Sequence, residues 1–194
     1  MEDKRVRKTK KNIKATLIGM LAEMPFEKVT IAELCRRGEI SRITFYTHYD
    51  DKYALVVEMF GDYVRQAYDI YHRLQEDNNM ELDSIKGYKN LLSCMLQMFY
   101  QNFDFFQHTS AQENPFLFTT LYEYVLEAVD DYLVRHTGII PVYSSRQTAA
   151  LLCNGLFGVV ISCNREDLGE KEARRVVEGM YEILLTSGLF RKPV

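Results

Sequence analysis

Residues 30–52, TIAELCRRGEISRITFYTHYDDK, decide the fold. Thr30 and Glu33 form a capping-box pattern: the threonine hydroxyl accepts from the Glu33 backbone N–H, and the Glu33 carboxylate reaches back to the Thr30 amide. Ile31 and Leu34, three apart, give the helix that follows one buried face. Gly38 ends it, and Ser41 N-caps a second helix over roughly residues 41–49. Two short helices joined by a turn of three or four residues make a helix-turn-helix, whose second helix is suited to a DNA groove. An ordinary helical hairpin satisfies the same capping pattern, so the caps alone leave both readings open.

Working outward, the apolar residues keep helical spacing nearly everywhere. A first helix is predicted over about residues 5–23, with Ile13, Leu17, Met20, Leu21 and Met24 on one side and Pro25 as its stop. Lys4, Arg5, Arg7, Lys8, Lys10, Lys11 and Lys14 make a basic arm, suited to solvent or to phosphates and a flanking minor groove. After the helix-turn-helix, a long helix is predicted from about residue 51 to 75. Its buried stripe is Leu55, Met59, Phe60, Tyr63, Ala67, Ile70 and Leu74, and Asp50 and Asp51 suit its positive end. A polar break follows, then a helix over 85–106 that is apolar nearly all round and so central in its domain. Further helices are predicted over 116–136, 145–165 and 170–186, with residues 138–144 as a loop because Pro141 forbids helix continuation. The fold class is all-α, with about eight to nine helices. Residues 1–54 are expected to form a three-helix DNA-binding head and residues 55–194 a helical bundle, to which the family resemblance drawn below gives a regulatory and dimerisation role.

Charge and cysteine usage agree. The chain of 194 residues is long enough to bury a real core. Its formal net charge of −3 is unevenly placed, since residues 1–52 carry 12 Lys/Arg against 8 Asp/Glu and the remainder carries 12 against 19. A basic end joined to an acidic body lets one end meet phosphate while the rest stays off it. Cys35, Cys94, Cys153 and Cys163 lie in apolar helical runs without a C-x-x-C pair. The N-terminus lacks the pattern of a cleavable signal peptide. Both point to reduced, buried thiols and a cytoplasmic protein. The longest apolar run, residues 148–163, contains Asn154 and falls short of the roughly 20 residues of a membrane span, so no membrane association is expected. His48, His72, His108 and His136 are scattered, and no metalloprotease, nucleophile-elbow or phosphate-loop motif is present. Neither enzyme activity, a metal site nor a cofactor is expected.

The run from Ile40 to Leu55 resembles the signature of the TetR family of bacterial transcriptional regulators. Ile40, Ser41, Thr44, Phe45, Tyr46, His48, Tyr49, Lys52 and Leu55 fall in its pattern, as do Ile13, Leu17, Leu21, Phe26, Thr30, Ile31 and Leu34 upstream. The likeness covers about the first quarter of the chain at that strength. The wording of residues 5–37 looks most like the subgroup that includes regulators near dihydroxyacetone kinase genes. The resemblance implies a homodimer binding a palindromic operator on double-stranded DNA, usually as a repressor responsive to a small molecule. The candidate DNA-binding set is Thr30, Ser41, Arg42, Ile43, Thr44, Tyr46, Thr47, His48 and Lys52. Arg42 can fork onto guanine and Ile43 can touch a thymine methyl. Tyr46, His48 and Lys52 match the family's phosphate-contacting positions, while Phe45 and Tyr49 seat the helix. Two departures are Ile43, where the family often has a small residue, and Glu39, where the turn commonly has Gly; a non-Gly residue at positive φ is disfavoured.

In the body, Met59, Met95, Phe99, Phe103, Tyr122 and Val125 are the candidate ligand-binding residues, of the kind the family places around a cavity. Plain core packing explains the same residues. No dense cationic or anionic set marks a charged ligand. The dimer interface is predicted on the last two helices, at Leu152, Gly155, Leu156, Val159, Val177, Met180 and Leu184, closing a four-helix bundle. The alternative function is a TetR-like coactivator or adaptor acting through a protein partner.

Overall fold

A computed structural model of the chain describes residues 4–135, 140–166 and 169–191. His136 and part of the predicted 138–144 loop lie outside them. Among the described residues nine helices occur, α1 (Lys4–Leu21), α2 (Ile31–Arg37), α3 (Arg42–Tyr46), α4 (Lys52–Asn78), α5 (Ser84–Gln101), α6 (Phe103–Phe106), α7 (Pro115–Arg135), α8 (Ser145–Arg165) and α9 (Glu170–Thr186). The all-α expectation holds. One addition is a pair of two-residue strands, β1 (Ile140–Pro141) and β2 (Phe190–Arg191), paired antiparallel with Ile140 opposite Arg191. Pro141 is tolerated there because a two-stranded ladder consists only of edges.

The chain forms two compact units, and α4 and α7 supply residues to both. The first comprises the chain through Tyr63 together with residues 102–121. Ile13, Leu17 and Met20 of α1, Leu34 of α2, Phe45 of α3, and Leu55, Met59 and Phe60 of α4 are fully buried in its core. α1 ends at Leu21, short of Pro25, which is the N-cap of a 3-10 turn over Phe26–Lys28 before α2. The predicted 85–106 helix is interrupted at Asn102, and the short α6 lays Phe105 on Phe60 and Tyr63, with centroids 5.6 and 5.4 Å apart. Asn114 is buried just ahead of α7. Its side-chain oxygen accepts from the Phe26 amide at 2.6 Å, and its amide donates to the His108 carbonyl at 2.7 Å.

The second unit contains the remainder of α4, then α5, the remainder of α7, α8, α9 and the strand pair. α9 packs on both α5 and α8. The predicted polar break is more ordered than its composition suggested. Gln75 accepts from Asn79 at 2.9 Å and from the buried Asn90 at 2.6 Å, and Asn78 and Asn90 exchange hydrogen bonds. A buried amide stays only when paired, and these are. α8 is long and apolar enough to cross a membrane by length and composition alone. Its Leu152, Cys153, Leu156, Val160 and Cys163 stripe is nevertheless buried within the unit.

Candidate nucleic-acid interface and effector cavity

Local sequence builds the head. Thr30 caps α2 by accepting from the Glu33 amide at 3.2 Å. The other half of the expected capping box is absent: the Glu33 carboxylate instead accepts from Arg36 at 2.7 Å and Arg37 at 2.8 Å. Hydrogen bonds from Arg36 and then Arg37 hold its carboxyl down at about 2. Gly38 is the C-cap, but at φ −80. Its small size has another cause, since a Cβ would lie 3.1 Å from both the Leu34 carbonyl and Thr16 Oγ1 of α1. The left-handed position is Glu39, at φ 51. Ile40 N–H donates to the Cys35 carbonyl at 3.0 Å and Glu39 N–H to the Arg36 carbonyl at 3.4 Å, the paired bonds of a Schellman turn.

Ser41 then caps α3, accepting from the Thr44 amide at 3.0 Å. Phe45 and Tyr49 are buried and seat the helix, with rings 5.7 Å apart. The remaining side chains face out. Ser41, Arg42, Ile43, Tyr46 and Thr47 are exposed, and Thr44 and His48 are half-buried. Ile43 is 82% exposed, an unusual position for an isoleucine on a helix with no covering element. Thr30 is exposed at the start of α2. Eight of the nine candidate DNA-binding residues thus reach solvent at least in part, Thr30 and Ser41 while also capping their helices.

Lys52, the ninth, is half-buried and engaged within the chain. Its ammonium donates to the carbonyls of Phe26 at 2.9 Å, Glu27 at 3.0 Å and Val29 at 3.1 Å, and it sits 4.6 Å from the Phe26 ring centroid. A lysine has three donors, and all are used on carbonyls at the end of the 3-10 turn. In this chain Lys52 thus clamps that turn, and the phosphate contact implied by resemblance remains a proposal. Part of the basic arm is likewise engaged within the chain. Lys10 binds Glu58 at 2.7 Å, and Lys14 binds Glu58 at 2.6 Å and also Asp62, so both tie α1 to α4. Partial burial pushes the Glu58 carboxyl up, but hydrogen bonds from Lys10, Lys14 and Tyr49 outweigh it and leave it at about 2. Lys4, Arg5, Arg7, Lys8 and Lys11 remain exposed along α1.

The second unit holds a cavity of about 230 Å³. Val64, Ala67, Tyr68, Tyr71 and His72 of α4, Leu91, Cys94, Met95 and Met98 of α5, and Val125, Ala128, Val129 and Tyr132 of α7 line it, with Asp131 and Arg135. Of the candidate ligand residues, Met95 and Val125 are there. Met59 is instead in the core of the first unit, and Phe103 begins α6. Phe99 stands edge-on to Tyr100, and the Tyr122 hydroxyl accepts from Asn154 at 3.0 Å. The missed lining residues carry a sequence signal: positions 64, 67, 68 and 71 keep the helical spacing of one face, as do 91, 94, 95 and 98.

Three of the seven interface candidates are covered within the chain itself. Leu152, Leu156 and Val177 are 3%, 5% and 1% exposed, covered by the chain's own helices. Gly155 and Met180 are exposed, and Val159 and Leu184 are half-buried. The uncovered apolar face of α8 and α9 carries Leu151, Ile161, Met180 and Ile183.

With this architecture in view, the chain has the fold of TetR-family transcriptional regulators. A protein of Syntrophomonas wolfei assigned to that family superposes with a TM-score of 0.69 over 92% of this chain and 95% of its own, at 14% identity. Reduced NemR of E. coli matches with a TM-score of 0.55 over 96% and 99%, at 14% identity. A TetR-family regulator of Chloroflexus aurantiacus gives 0.53 over 96% and 95%, at 16% identity. Neither a family model nor a curated protein sequence matches the chain.

Proposed function

We propose that this chain is a TetR-type DNA-binding transcriptional regulator, a ligand-responsive repressor that binds a palindromic operator as a homodimer. The observation that carries it is α3, a short capped helix pinned by Phe45 and Tyr49 whose Arg42, Ile43, Tyr46 and Thr47 point away from the core. Such a helix presents a guanidinium for a guanine edge, an aliphatic group for a thymine methyl, and hydroxyls for phosphate. The narrower likeness to regulators near dihydroxyacetone kinase genes belongs to the same proposal and rests on the wording of residues 5–37 alone.

Dimerisation is supported by glycines. Gly155 and Gly158 in α8 and Gly179 in α9 have nothing within 4 Å of where a Cβ would stand. A glycine inside a helix costs about 1 kcal/mol relative to alanine. Nothing among the described residues requires these three to be small, whereas a second copy's helices packed on them would. They lie beside Leu151, Ile161, Met180 and Ile183, and a two-fold contact uses the same patch on both chains. The cavity of the second unit is the effector site in this reading. An effector changes DNA affinity only through its different affinity for two states of the dimer.

A mobility-shift titration on DNA flanking the native gene tests the reading. The protein should shift one fragment well before random DNA, and Arg42→Ala should narrow that difference by about 1–3 kcal/mol. Equal loss on operator and random DNA would remove the base-reading role from Arg42. No shift at all would favour an adaptor acting through a protein partner.

A further inference from the structure

The cavity of the second unit has a chemistry of its own. Cys94, Met95 and Met98 bring three sulfurs to one wall, and Tyr71 and Tyr132 bring two buried aromatic rings. The tyrosine hydroxyls are already engaged: the Gln75 amide donates to Tyr71 at 2.7 Å, and Tyr71 donates to Tyr132 at 3.2 Å. Ring surface and sulfur are what the interior offers, and polarizable sulfur favours contact with an aromatic edge. The charged lining residues, Asp131 and Arg135, are exposed and paired with each other at 3.3 Å. An ionised ligand would leave water for a wall with no unbalanced charge to meet it. A dry cavity of about 150 Å³ holds benzene, so about 230 Å³ accommodates on the order of ten non-hydrogen atoms.

We propose that this cavity takes a small uncharged molecule built on an aromatic skeleton of one or two rings, bound reversibly, with any polar substituent directed toward Tyr68 and His72. The assignment deepens the effector reading and rests on it for its regulatory consequence. Tyr68 and His72 are the exposed members of the α4 stripe and supply a hydroxyl and an imidazole where water is at hand. Reversible rather than covalent capture follows from Cys94. Its thiol donates to the Leu91 carbonyl at 3.0 Å, and burial pushes its pKa up to about 12. At neutral pH it stays protonated and is a poor nucleophile.

Isothermal titration calorimetry of the full chain with 2-naphthol tests this, with 2-naphthoate and trimethyl(2-naphthyl)ammonium as charged counterparts of the same skeleton. The expected result is one 2-naphthol per chain with Kd on the order of 10–100 μM, and both ions at least tenfold weaker. Ala128→Phe, which fills the cavity from α7, should weaken 2-naphthol at least tenfold; Ala67→Leu fills it from α4 if the first variant does not fold. Either ion binding as tightly as 2-naphthol would overturn the proposal. So would undiminished binding in both folded variants, or mass addition at Cys94 by 1,4-naphthoquinone without reversible 2-naphthol binding. The calorimetry needs no DNA. Intact 2-naphthol binding without operator binding would therefore sink the regulator reading and leave the ligand class standing; operator binding without 2-naphthol binding would do the reverse.

Discussion

Lys52 fits the recognition pattern and Glu39 departs from it, and in both cases local backbone geometry decides what the residue does. Lys52 directs its three donors at the carbonyls of Phe26, Glu27 and Val29, at the end of a 3-10 turn. Lys52→Met should cost about 2 kcal/mol of stability in chemical denaturation, the scale of hydrogen bonds to a charged donor. It should leave the salt dependence of DNA binding unchanged. A slope flattened by about one would restore Lys52 to the phosphate contacts. Glu39 holds a left-handed φ of 51 in the turn between α2 and α3. Glycine adopts that conformation without the clash a Cβ brings. Glu39→Gly should therefore stabilise the chain by about 0.5–1 kcal/mol, and a loss of stability on denaturation would mean that the Glu39 side chain holds the turn.

At the scale of elements, legibility in the sequence followed how local the cause was. The helix-turn-helix was readable because Thr30, Gly38 and Ser41 act within a few residues of themselves. The start of α4 was readable for the same reason, since Asp51 accepts from the Ala54 amide at 2.7 Å. The facing of α8 was not. Leu151 is 49% exposed and its neighbour Leu152 is buried. A helix apolar nearly all round carries no phase, so nothing local says which side meets its own chain. α4 posed the same difficulty: Met59, Phe60 and Tyr63 belong to one unit's core, and Val64, Ala67 and Tyr71 to the other unit's cavity. The split between α5 and α6 depends on where Phe105 must pack, a tertiary matter. The uncovered face of α8 and α9 gives a sharp contrast. Leu151→Glu should yield a folded chain that is monomeric at micromolar concentration by light scattering, with operator affinity lowered by orders of magnitude. Leu156→Glu should instead lose the fold, because it places a charge in a covered seam. A folded dimer with Leu151→Glu would move the interface off this face.

For the whole molecule, the charge distribution, the outward-facing α3 and the three unexplained glycines belong to one account. A basic first quarter can approach DNA while an acidic remainder avoids it. A single short recognition helix covers only a half-site, so specificity for a full operator requires two copies related by a two-fold axis. The cavity would then bias the dimer between states that do and do not span those half-sites, and α4 and α7, which supply residues to both compact units, also line it. DNase I footprinting on DNA flanking the native gene tests the central claim most directly. The account predicts one two-fold symmetric protected region containing inverted half-sites about 34–36 Å apart or slightly more, and protection that vanishes with Leu151→Glu. An asymmetric footprint of half-site size, unaffected by Leu151→Glu, would contradict it.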